Sequence, residues 1–234
     1  MLRRLNISQY GFDTAAVQRL LNANWFAGLT HLSLSIGTAR DLCMLLATRR
    51  STLQLQSFSI AGHSGMGSEA FAALCSAKSL KHLRELHIGS QKSINSTSME
   101  VLSQSLLLAR PEQLCLSGNS IPDLGAKKLA ASPLAGNLRE LSLRHTKIGL
   151  RGLEAILNSS CMKSLKKLDL TGSKLESDLR KTMNEAVLGT RLCVESLLAR
   201  MADGWSDSEI LRNYPGLCRE DIVACLDYAY ERIR

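Results

Sequence analysis

The sequence predicts an α/β solenoid, in which short parallel strands alternate with helices, followed by a small module of three helices. Three observations carry this. One spacing, L-x-x-L-x-L or close to it, recurs seven times, its middle position filled by Leu5, Leu32, Phe58, Leu86, Leu114, Leu141 and Leu168. The gaps between these positions are 27, 26, 28, 28, 27 and 27 residues. After about Ala186 the period is lost and a new helical pattern begins. Self-similarity at a fixed period of about 20–50 residues marks an array whose units cannot bury their apolar faces alone.

Each unit divides in two. In L-x-L, two leucines flank one outward residue, which is strand alternation. The clearest copy runs Leu114-Cys115-Leu116, Asn119, Ile121, then Gly125-Ala126, Leu129-Ala130 and Pro133-Leu134. The next runs Leu138, Leu141, Leu143, then Gly152-Leu153 and Ile156-Leu157. Apolar residues three and four apart in that second half form the stripe of an amphipathic helix. The last copy reads Leu165, Leu168, Leu170, then Leu175, Leu179 and Met183. The unit from Leu29 to Leu53 is the least regular, its helix read from Leu42, Leu45 and Leu46. The N-terminal half is accordingly expected to be the less tightly specified.

These units resemble leucine-rich repeats of the ribonuclease-inhibitor type over residues 2–187. The resemblance implies a right-handed leucine-rich-repeat solenoid, with parallel strands on the concave side and helices on the convex side. The family often carries Asn or Cys after the third leucine, where the side chain bonds turn backbone. Here that position holds Tyr10, Gly37, His63, Gln91, Asn119, Thr146 and Ser173.

Composition sets bounds. The chain has 234 residues and only 4% aromatics, so its core is aliphatic. No segment approaches the roughly 18–20 apolar residues of a membrane span. Met1-Leu-Arg-Arg leads into Leu-Asn-Ile-Ser, which reads as repeat and not as a signal peptide. A cytoplasmic location is expected, and no membrane partner. Cys43, Cys75, Cys115, Cys161, Cys193, Cys218 and Cys225 are odd in number and lack C-x-x-C, so they are expected to be scattered, mostly buried thiols. Residues 1–187 carry 23 Lys/Arg against 13 Asp/Glu, and residues 188–234 carry 6 against 8.

The tail, residues 188–234, is a different module. A first helix is expected over Val194–Ala202, stopping at Gly204. Ser206 followed by Glu209 reads as a capping box opening a second helix, which ends before Pro215. A third begins near Arg219-Glu220-Asp221, with Ile222, Val223, Leu226 and Tyr230 on its apolar face. Gly189-Thr190-Arg191, Val194, Gly204-Trp205-Ser206, Glu209-Ile210, Tyr214-Pro215, Glu220-Asp221-Ile222 and Leu226-x-x-Ala229 resemble a prokaryotic family of uncharacterised, antitoxin-like domains. That resemblance implies a bacterial source, a helix-turn-helix-like unit and DNA binding. The family's leading strand falls on Lys181 to Leu188, which the last repeat occupies, so the module looks shortened at its front. So short a module is marginal by itself, and a solenoid needs its open end covered. The tail is therefore expected to cap the last repeat through Val194, Leu197, Leu198 and Met201. At the other end, repeat register begins at Leu2, so that end either self-associates with another chain or belongs to a fragment of a longer ancestor.

No catalytic, cofactor or metal arrangement emerges. Gly62-His63-Ser64-Gly65-Met66-Gly67 has Met66 where a nucleophile elbow needs Gly, and it lacks the Gly-Lys-Ser/Thr ending of a phosphate loop. It reads as a strand-to-helix turn. His31, His63, His82, His87 and His145 show no metal-ligand spacing. Trp205 and Tyr214 read as packing residues of the tail.

Binding is expected on the sheet. Strands stacked about 4.8 Å apart align equal repeat positions in columns. One such column is Asn6, Ser33, Ser59, His87, Cys115, Ser142 and Asp169. The candidate partner-binding residues are Arg84, His87, Arg139, Arg144, Lys166, Lys167 and Asp169, a basic face suited to an acidic protein partner. The competing reading is an ordinary solvated strand surface. For nucleic acid a groove-binding third helix would offer few cations, Arg219, Arg232 and Arg234, opposed by Glu220, Asp221, Asp227 and Glu231. Two functions follow: a non-enzymatic protein-binding scaffold, or a toxin–antitoxin regulator acting through its tail.

Overall fold

The structure, a computed structural model, describes residues 2–7, 13–34, 39–62, 66–91, 93–175, 194–214, 217–220, 222–223 and 226. The chain divides into two compact units, Met1–Leu175 and Glu176–Arg234.

The first unit is a seven-stranded sheet, every pair parallel, with the strands in chain order. The strands are β1 Arg4–Ile7, β2 His31–Leu34, β3 Ser57–Ala61, β4 Glu85–Gly89, β5 Gln113–Cys115, β6 Glu140–Ser142 and β7 Lys167–Asp169. Leu5, Leu32, Phe58, Leu86, Leu114, Leu141 and Leu168 are register partners from strand to strand, as the spacing requires. Between strands run helices α1 Thr14–Asn22, α2 Ala39–Thr48, α3 Gly67–Ser76, α4 Ser96–Ser103, α5 Asp123–Ala130 and α6 Leu150–Leu157. Their apolar stripes, such as Leu42 and Leu46 of α2 or Phe71 and Leu74 of α3, join the strand leucines in one continuous core. This is an α/β arrangement consistent with a solenoid-like repeat. The two end strands differ from the middle ones. Leu5, Ile7, Leu168 and Leu170 are only half-buried, whereas Leu32, Leu86, Leu114 and Leu141 are buried.

Polar ladders bind successive units. At the turn position after β4 to β7 the side chain is buried: Gln91, Asn119, Thr146 and Ser173. Asn119 accepts from the Gln91 backbone N–H at 2.8 Å and donates to the Ile88 and Leu116 carbonyls, each at 2.7 Å. Gln91 does the same work from a longer side chain, accepting from Met66 N–H at 2.7 Å and donating to the Gly62 carbonyl at 2.9 Å. The departure from Asn at position 91 is therefore conservative in bonding. Tyr10, Gly37 and His63 lie outside the described residues. So do Ser64 and Gly65 of the Gly62–Gly67 turn.

A second ladder joins the helix ends. Ser79, Ser105, Ser132 and Ser159 donate to the Leu46, Cys75, Ser103 and Ala130 carbonyls, each in the preceding unit. Capping crosses units too: the Asp123 carboxylate accepts from Gly149 and Gly152 N–H at the start of α6, at 2.7 and 3.0 Å. One turn site is left-handed in unit after unit, with φ of 56° at Ser90, 72° at Gly118, 53° at His145 and 67° at Gly172. At Gly172 a Cβ would lie 2.3 Å from the His145 ring, so any other residue there would have to displace that imidazole.

In the second unit, α7 Val194–Ala202 and α8 Asp207–Asn213 occupy the expected ranges. The Ser206–Glu209 capping box is complete. Arg219, Glu220, Ile222, Val223 and Leu226 are helical. Leu197, Ile210, Leu217 and Ile222 form a small core, with Leu198, Met201, Trp205 and Tyr214 packed against it. Of the stripe Val194, Leu197, Leu198 and Met201 expected to face the last repeat, the last three pack within their own unit, and the Val194 side chain lies outside the described ones. Arg200 covers the Trp205 ring at 5.2 Å. The Gly189-Thr190-Arg191 motif and the segment from Lys181 to Leu188 lie outside the described residues, as do Leu179, Met183 and Tyr230. Among the described residues no helix is long and apolar enough to cross a membrane.

Candidate functional site

Strand alternation turns one residue in two away from the core, and the parallel register lines those residues up. The expected column is present: Asn6, Ser33, Ser59, His87, Cys115, Ser142 and Asp169 are aligned in register. A regular backbone pattern sets the rim before the strands. The Gln56 carbonyl accepts from Arg84 and Glu85, that of Arg84 from Glu112 and Gln113, that of Glu112 from Arg139 and Glu140, and that of Arg139 from Lys166 and Lys167. Arg84, Glu112, Arg139 and Lys166 therefore stand side by side at one repeat position.

Across β4 to β7 the outward face holds an open groove of about 490 Å³. Of the seven candidate residues, His87, Arg144, Lys167 and Asp169 line it. Arg84 lines a separate hollow of about 360 Å³ with Lys81, His82, Arg110 and Glu112. Arg139 and Lys166 are exposed on the rim.

The face is less basic than the cations alone suggest. Arg139 stands 3.4 Å from Glu112, Arg144 3.8 Å from Asp169 and Lys167 3.6 Å from Glu140. Each pair joins neighbouring turns, so the carboxylates intersperse with the cations. Asp169 also accepts from the Thr171 hydroxyl at 2.7 Å and its N–H at 3.0 Å. Those bonds, with Arg144 and Lys167 adding to them, hold its carboxyl below the usual range.

The structure also joins two residues that sequence reasoning placed in one column without pairing. His87 and Cys115 are register partners on β4 and β5, both line the groove, and the imidazole and thiol perturb each other's ionisation. The Ser117 hydroxyl lies 3.2 Å from the Cys115 sulfur and 3.0 Å from the Ser142 hydroxyl. Burial pushes the thiol up, but the neighbouring His87 and the Ser117 hydroxyl and backbone outweigh it and bring Cys115 down to about 7. The nearby Cys115 raises His87, against the opposing effect of burial. Elsewhere burial dominates: Cys43 and Cys75, inside the core, are pushed up to about 12. The expectation of mostly buried thiols is thus corrected, since Cys115 and Cys161 are half-buried and Cys218 is exposed. Cys193 and Cys225 lie outside the described residues. Strand alternation already places Cys115 on the outward face, so the one-strand offset to His87 was the signal that could have found the pair.

Residues 186–229 match a family model described as Protein of unknown function (DUF433). The match falls in the second unit and begins two residues before the boundary at 188 that the loss of period suggests. No curated protein matches the chain.

Proposed function

We propose that this chain is a non-enzymatic protein-binding scaffold, a leucine-rich solenoid of the ribonuclease-inhibitor type whose outward strand face captures an acidic protein. The observation that carries this is the ordered face itself: seven strands in chain order hold small polar residues as a floor and long charged residues along a rim. That is an extended surface suited to a macromolecule. The ion pairs on it do not oppose the reading. Exposed pairs of this kind contribute about 0–1 kcal/mol each, so a partner's carboxylates can take over Arg139, Arg144 and Lys167 at little cost. Arg84 and Lys166, in no ion pair among the described residues, supply further cations. Arg is favoured at interface hot spots, and the candidate residues include three, Arg84, Arg139 and Arg144.

The test is affinity capture from the native cell extract with three baits: the whole chain, the variant Arg139→Glu/Arg144→Glu/Lys166→Glu, and the chain lacking residues 189–234. Loss of the captured protein with the charge-reversed bait alone is the expected result. Loss with the truncated bait alone would move the binding site to the tail.

A second reading rests on the tail's resemblance to antitoxin-like domains: a regulator whose tail contacts a cognate toxin or operator DNA. Two helices joined by the Gly204-Trp205-Ser206 turn suit it. The tail's excess of acidic over basic residues opposes a phosphate backbone.

A further inference from the structure

We infer that Cys115, activated by His87 on the floor of the β4–β7 groove, is a modification site that forms mixed disulfides with low-molecular-weight disulfides. This stands apart from the binding proposal and holds whether or not the face captures a protein.

The thiol is not isolated. It sits half-buried in a groove of about 490 Å³, with His87 in register on the neighbouring strand lining the same groove and the Ser117 hydroxyl 3.2 Å away. Charged groups face the pair from the surrounding elements. Glu85 is on β4, Glu140 on β6, Lys167 and Asp169 on β7, and Arg144 and His145 follow β6; β3 presents only Ser57 and Ser59. Lys167 pairs with Glu140 and Arg144 with Asp169, so these charges largely offset one another. The imidazole and the hydroxyl are left to set the ionisation of the thiol. An attacking thiol is most effective when its pKa lies near the ambient pH, which is where these contacts place Cys115.

The step balances without a further oxidant. The Cys115 thiolate donates an electron pair to one sulfur of the small disulfide, and a new S–S bond forms as the old one breaks. The departing thiolate takes the proton held by the His87 imidazolium. Cys115 is oxidised and the leaving half is reduced to a thiol. Cys43 and Cys75 cannot compete, because the core keeps them both covered and protonated.

The test incubates the full chain with oxidised glutathione and follows each cysteine by peptide mass spectrometry from pH 6 to 9. Cys115 is expected to acquire the adduct with a rate that rises through about pH 7, and Cys43 and Cys75 to stay unmodified in the folded chain. His87→Gln returns the thiol towards an ordinary ionisation. At pH 7 its thiolate fraction then falls from about half to about 3%, while its intrinsic nucleophilicity rises about fivefold, for a net slowing of about threefold. At pH 9 the order reverses and the variant is the faster, a crossover that a purely structural role for His87 would not produce. Ser117→Ala, which removes one hydrogen bond, gives a smaller change in the same direction and serves if His87→Gln fails to fold. An absent adduct at Cys115, or the same pH profile in both variants as in the parent chain, overturns the inference.

Discussion

The two units bury apolar surface in different ways. In the first, the core neighbours of a residue come from about one repeat away in sequence: Leu114 lies between Leu86 and Leu141, and the ends of α3 and α6 are satisfied by Gln91 and Asp123 of adjacent units. In the second, Leu197, Ile210, Leu217 and Ile222 meet within one short stretch of chain, and α8 is capped by its own Ser206 and Glu209. Stability in the first is shared along the array. In the second it rests on a few side chains, each contributing about 1.5–3 kcal/mol before ordering entropy is subtracted.

The strongest way to break this contrast is within the first unit. Leu114→Ala, in the middle of the sheet, is expected to cost about 3 kcal/mol in urea denaturation. Leu168→Ala, on the half-buried end strand, should cost about half as much, since less surface is removed from the core. Equal losses would mean that the ends are as tightly packed as the middle. Next comes Asn119→Ala, which strands the Gln91 N–H and two carbonyls in a buried turn and is expected to cost about 2–3 kcal/mol. A loss below about 1 kcal/mol would show that water replaces the ladder. The smallest effect sharpens the comparison from the other side. Ser206→Ala removes the cap of α8, worth about 1 kcal/mol. Hydrogen exchange should quicken at Glu209 to Asn213 and remain unchanged at the amides of β4 to β6. Faster exchange there would show that the units share one cooperative transition.

Much of the first unit was legible beforehand because its signal repeats. The middle leucines and the outward column from Asn6 to Asp169 emerged in register, since strand alternation and a fixed period leave one self-consistent alignment. In the tail, Ser206, Glu209 and Gly204 are local signals and placed α7 and α8 at the expected residues. The serine ladder went unnoticed, although Ser79, Ser105, Ser132 and Ser159 recur at close to the repeat period. Single serines have no propensity signal of their own, and only a bond to the preceding unit gives them a common role. The basic patch was read from its cations alone, whereas Glu112 and Glu140 stand at equivalent positions one unit away and pair with them.

The sequence by itself determined the α/β repeat, the strand register and the position of the core, because burying a periodic set of leucines admits one pattern of stacking. Tertiary structure alone decided which outward groups meet: His87 with Cys115, Arg139 with Glu112, Lys167 with Glu140. Those encounters depend on side-chain reach across neighbouring strands about 4.8 Å apart, a distance far smaller than the separation of the residues along the chain. Charge compensation and thiol ionisation on this face follow from that geometry.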